Sequence, residues 1–219
     1  MNVLDGPEGL AELQRLGARS IPVLSRGDKF TFAQSLKPVI EFLGLNEKTG
    51  PVLSPQQLYE RLDRYLSAEL AMIPLMPADQ LATNAPSRPR TYRTLAHHIY
   101  RVTEVFLGAT KGETLEAKMF GYAPPETLTT SDLVAYGTGV RDAFRNWWKS
   151  GVGTSGSEQL PTYYGPQPMH ELLERTTWHS GQHVRQWMML LDMAGVKFTH
   201  PLGDQDFTDL PMPKNVWDG

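Results

Sequence analysis

The stretch TTWHSGQHVRQ, from Thr176 to Gln186, holds His179 and His183 four residues apart. Four residues is about one helical turn, so on a helix both imidazoles lie on one face and can converge on one ion. A lone pair at this spacing reads equally well as two hydrogen-bonded core histidines, and a third ligand decides between the two. The adjacent residues His97 and His98 supply the candidate. Neighbours on a helix point about 100° apart, so only one of them faces a core. His98 shares its stripe with Leu95, Val102 and Phe106, whereas His97 lies with Arg101 and Glu104. His98 is therefore the expected ligand and His97 the alternative. One histidine from one helix and a His-x3-His pair from another leave coordination positions open, as a reactive metal site requires. Neutral imidazole suits zinc, nickel, iron or copper, and the residues alone do not choose among them.

Long helices must position these groups. Ser54-Pro-Gln-Gln57 reads as a capping box with Pro55 at the first helical position, followed by Leu58, Leu62, Tyr65, Leu66 and Leu70 at helical spacing. Further helices are expected over about Thr91–Gly108, from about Ser131, and over about Met169–Ala194 with Gly195 as the closing residue. Leu172, Thr176, His179, His183, Trp187 and Leu190 share one face of the last. Four amphipathic helices with long connections predict a four-helix bundle with crossovers over residues 55–195. The prolines of residues 196–219 predict an irregular tail, and residues 46–54 a polar linker. Before the linker, residues 1–45 read as α-β-β-α: a helix over Pro7–Leu16, a strand over Ser20–Ser25, a turn at Arg26-Gly-Asp28, a partner strand at Lys29–Phe32 and a helix over Ser35–Leu43. The fold class is mostly α.

Composition excludes several functions. The chain has 219 residues, a net charge of −3 and no cysteine. Without cysteine there is no disulfide framework, no zinc–thiolate site and no thiol nucleophile, so any thiol chemistry must use a small-molecule thiol. The densest basic run, Arg88-Pro-Arg-Thr-Tyr-Arg93, reads as solvated surface, and nucleic-acid binding is not expected. No apolar stretch of about 18 residues and no signal-peptide pattern occurs, so the chain is expected in the cytoplasm and not in a membrane. Arg185 reads either as a contact for an anionic substrate or as a surface ion-pairing residue. Trp147, Trp148, Trp178 and Trp187 read as core and interface, one of them being a candidate wall for an apolar pocket.

The region from about Val52 to Gly195 resembles the DinB/YfiT-like family of four-helix-bundle metalloproteins. The resemblance is carried by Leu95-Ala-His-His-Ile-Tyr-Arg-Val-Thr-Glu104 and His179-Ser-Gly-Gln-His-Val-Arg-Gln186. It implies that a histidine of the second helix, His98 or else His97, binds a divalent metal together with His179 and His183, usually zinc or nickel in that family. The second histidine is often followed there by Arg-Gly-Gln, where this chain has Val184-Arg185-Gln186. Enzymes of the family include transferases and isomerases that use mycothiol, bacillithiol or glutathione. Gly17-Ala-Arg-Ser-Ile-Pro-Val-Leu24, followed by a hairpin and a helix, resembles the C-terminal half of a glutaredoxin, a thioredoxin-like half-domain. The resemblance implies a cis bond between Ile21 and Pro22, and a role for these two residues in binding the peptide part of glutathione. The Cys-x-x-Cys helix of that fold is absent, which excludes redox activity.

The expected function is that of a metal-dependent enzyme of the glutathione-type S-transferase, lyase or isomerase class, acting on a small-molecule electrophile and a thiol, with a homodimer as the expected assembly. Metal-dependent hydrolysis with an activated water, or a non-catalytic metal-binding stress or interaction protein, are the alternatives.

Overall fold

The computed structural model describes residues 7–18, 21–34, 36–46, 50–86, 89–153 and 155–217. Ser20, Ser35, Arg88, residues 47–49 of the linker and residues 218–219 of the tail, on all of which sequence expectations fell, lie outside the described residues. The described chain is mostly helical, with two short two-stranded sheets, and divides into two compact units, Met1–Gly50 and Pro51–Gly219. Among the described residues, no helix is long and apolar enough to cross a membrane.

In the first unit, α1 (Pro7–Leu16) leads to the antiparallel pair β1 (Val23–Arg26) and β2 (Lys29–Phe32), then to α2 (Leu36–Leu43), which packs on β2. The two-residue turn places Gly27 at φ 60°, a conformation glycine adopts without strain. Arg15 ties α1 to that turn, with Nη1 2.6 Å from Asp28 Oδ1. The Ile21–Pro22 bond is cis. The Ile21 carbonyl accepts from Gln34 Nε2 at 2.9 Å, and the Pro22 carbonyl accepts from the Ala33 N–H.

The second unit is built on α3 (Pro55–Met72), α4 (Tyr92–Thr110), α5 (Thr130–Lys149) and α6 (Met169–Met193). Side chains in the sequence cap the first three. Ser54 and Gln57 form the reciprocal capping box of α3, Thr91 caps α4, and Thr129 and Asp132 form a second capping box on α5. Gly195, at φ 74°, terminates α6. Both α3 and α4 pack against α5 and α6. His170 Nε2 lies 2.7 Å from the Leu53 carbonyl at the start of α6, while further along Tyr65 abuts Gly181, so α3 and α6 run the same way. A parallel neighbour demands crossover connections. The connection between α5 and α6, 150–168, carries the hairpin β3 (Gln159–Leu160) and β4 (Gln167–Pro168), which the sequence did not signal.

Small residues set the close approaches. A Cβ on Gly181 would lie 2.7 Å from the Tyr65 ring, and one on Gly137 would lie 2.6 Å from the Tyr100 ring. Between α3 and α5 a single carboxylate, Asp63, takes hydrogen bonds from Arg141 and Arg145 at 2.7–3.1 Å. Burial opposes ionisation there, but the two guanidinium groups outweigh it and hold the Asp63 carboxyl below its ordinary range. Glu69, one turn past Tyr65, is different: it is fully buried, and among the described residues neither carboxyl oxygen has a hydrogen-bond partner. Burial alone pushes its carboxyl well above the ordinary glutamate range.

That burial has a pH signature. A carboxyl whose folded pKa is raised contributes most favourably below its unfolded pKa, near 4.3, and its contribution declines as pH rises. Glu69→Met is therefore expected to stabilise the protein at pH 7 by about 1–3 kcal/mol, with a smaller gain at pH 4. Denaturant titrations of both proteins at the two pH values check this; an equal gain at both contradicts it.

Candidate metal centre

The cluster is assembled by α4 and α6. Ser180 Oγ donates to the Ile99 carbonyl at 3.3 Å, pinning the two helices at the level where the histidines meet. Directly beside that contact, His98 projects from α4 and His179 and His183 from α6. One ring nitrogen from each of these three residues lies within 4.8 Å of the other two. The ring centroids are 5.4 Å apart for His98–His179, 4.8 Å for His98–His183 and 4.9 Å for His179–His183. Imidazole nitrogens around a tetrahedral ion at about 2.1 Å stand roughly 3.4 Å apart, so small ring rotations close the set on an ion. The group can hold a metal ion. Among the described residues it is the one such group of three or more His, Asp or Glu side chains.

The electrostatics are those of a neutral donor set. Burial, followed by the nearby His183 and Arg90, pushes His98 down to about 2. Burial, then His183 and His98, pushes His179 well below the ordinary histidine range. The rings of His98 and His179 are thus held in the uncharged form that binds metal. Groups outside the cluster approach two of the three rings. The Phe120 backbone, in the turn Ala117–Gly121, lies close enough to His98 to oppose part of that downward shift, and His183 Nδ1 lies 2.7 Å from Gln186 Oε1. Such outer partners fix ring orientation and raise ligand basicity.

His97 is also buried, but on the other side of α4. Its ring stacks on Tyr136 at 4.4 Å and 3°, and burial holds its pKa low. The face expected to be wet is therefore covered by α5, and His97 stands apart from the cluster. Tyr136 in turn donates to Glu104, which also receives Arg101.

A cavity of about 230 Å³ opens over His179 and His183. Trp178 and Trp217 contribute aromatic walls, Leu95, Ala85 and Pro213 apolar ones, and Arg90, Gln182 and Gln186 the polar groups. Arg90 thus lies at the cavity and not on a solvated face. Arg185 does the reverse: its Nη1 donates to Gln182 Oε1 and to the Pro213 carbonyl, both at 3.0 Å, and its guanidinium packs over Phe207. It holds the tail and does not line the cavity. Ile21 and Pro22 belong to the first unit and are not part of this cluster. Phe120, Gln186, Pro213 and Trp217 are roles that periodicity does not disclose, because they come from a loop, a polar helical position and an irregular tail.

The fold and site define a mostly helical protein with a three-histidine cluster, two of whose rings, His179 and His183, line a cavity. A scan against protein-family models gave no match, and a search of curated proteins gave none either.

Replacing His98, His179 or His183 with Ala is expected to abolish stoichiometric zinc or nickel in the purified protein, whereas His97→Ala retains it. Elemental analysis decides; undiminished metal in the three cluster variants, or its loss in His97→Ala, contradicts the assignment.

Proposed function

We propose that the protein is a metal-dependent enzyme of the glutathione-type S-transferase or isomerase class, a DinB-like four-helix bundle preceded by a thioredoxin-like half-domain. The observation that carries this reading is the three-imidazole cluster of which His179 and His183 line a cavity with aromatic walls and one cation, Arg90. When bound, zinc or nickel supplies Lewis acidity toward a sulfur or oxygen donor. The chain's own residues supply the rest. Arg90 adds positive potential at His98 and His179, where an anionic sulfur is favoured over a neutral one. Trp178 and Trp217 narrow the space beside the cluster and displace water from it, which strengthens every charge interaction inside. No carboxylate lines this cavity among the described residues, so it offers no acidic side chain to activate a water, which favours a thiol over hydrolysis.

Titrating glutathione into metal-free and zinc-loaded protein, followed by tryptophan fluorescence, tests the reading. Binding that requires the metal, with consumption of an electrophile such as an activated aryl halide only when thiol is present, is the expected result. Equal affinity for both forms overturns it, and ester turnover without added thiol replaces it with metal-assisted hydrolysis. A separate titration of Pro22→Ala reports on docking at Ile21–Pro22: weakened glutathione binding is expected if the half-domain holds the peptide.

A further inference from the structure

The segment that follows α6 returns across it as a strap. Gln182 Nε2 donates to the carbonyls of Asn215 and Val216 at 3.0 and 2.6 Å. Arg185 Nη1 donates to the Pro213 carbonyl at 3.0 Å, and Gln186 Nε2 to the Val216 carbonyl at 3.0 Å. Trp217 then reaches the loop before α4, where its indole N–H donates to the Pro86 carbonyl. Pro213 and Trp217 are also walls of the cavity above the histidines.

Gln186 is the joint between strap and cluster. A peptide carbonyl only accepts, so Val216 selects the NH₂ end of the Gln186 amide. The amide oxygen is thereby turned to His183 Nδ1, at 2.7 Å, and only an N–H can satisfy it there. His183 is held as the Nδ1–H tautomer, and its Nε2 carries the lone pair that ligation needs. Without the Val216 carbonyl the amide is free to turn over. Its NH₂ would then face Nδ1, favour the opposite tautomer and place a proton on Nε2.

We propose that Gln186 is a positioning residue through which the Pro213–Trp217 strap sets the tautomer and orientation of His183, so that seating of the strap and affinity for the metal are coupled. The inference rests on the metal-centre reading above. The coupling is reciprocal: whatever unseats the strap weakens the metal, and metal bound at His183 tightens the strap.

The test is competitive titration of cobalt(II) and zinc(II) into the full-length protein and into Gln186→Leu, Trp217→Ala, Gln186→Glu and the double variant Gln186→Glu/Trp217→Ala. The cobalt absorption spectrum is recorded alongside, with thermal unfolding of each metal-free protein as a check on the fold. Gln186→Leu and Trp217→Ala are expected to lose about 10–100-fold in metal affinity and to shift the cobalt spectrum. A carboxylate at 186 can only accept, so it fixes the His183 tautomer without help from the strap. Gln186→Glu is therefore expected to bind as tightly as the wild type and to rescue affinity in the double variant, a pattern that a loss of packing would not give. Wild-type affinity in Gln186→Leu or in Trp217→Ala overturns the inference while leaving the metal centre standing. Failure of the unaltered protein to take up stoichiometric cobalt overturns both. If Gln186→Leu does not fold, the comparison of Trp217→Ala with the double variant decides alone.

Discussion

Three imidazoles brought face to face where two helices meet are the condition that the surrounding structure has to meet. Imidazoles removed from water need partners for both ring nitrogens, and three of them turned toward one point cannot satisfy one another through a single shared donor. The inward nitrogens are suited to an ion. The outward ones draw in elements that would otherwise have no reason to be near: the turn that presents Phe120 to His98, and Gln186 beside His183. The close helix approach is itself a consequence of residue size, because Ser180 and Gly181 offer little bulk where α6 meets α4 and α3. Tyr65, packed on Gly181, donates to the Asp206 carbonyl at 2.5 Å, so the same contact that seats α6 also seats the tail.

Much of this was legible in the residues. Capping chemistry is local, so the start of α3 at Ser54-Pro-Gln-Gln57 could be read to the residue. Helical periodicity placed His98 on the apolar stripe and His179 and His183 on the inward face, because those relations depend only on spacing along one helix. What spacing cannot show is which surface a second element will cover. His97 looked wet beside Arg101 and Glu104, yet Tyr136 of α5 lies flat against it. Arg90 looked like part of a basic surface run, yet the tail brings Pro213 and Trp217 to the same cavity. Arg185 was assigned by its charge, whereas the carbonyls of an irregular segment decide its role. The hairpin of β3 and β4 is two residues per strand, too short for alternation to register.

The two units are tied internally by ion pairs of different character. Arg15 and Asp28 hold the first unit's helix to its hairpin with the aspartate 96% exposed, whereas Asp63 is shared by Arg141 and Arg145 at only 19% exposure. Dissolved ions screen charges in water far better than charges sheltered by protein, so rising ionic strength loosens the first tie and leaves the second nearly untouched. Heat separates them further, since the penalty for stripping water from sheltered charges falls as temperature rises. The seam between α3 and α5 is thus least sensitive to warm, salty conditions that relax the tie between α1 and its hairpin.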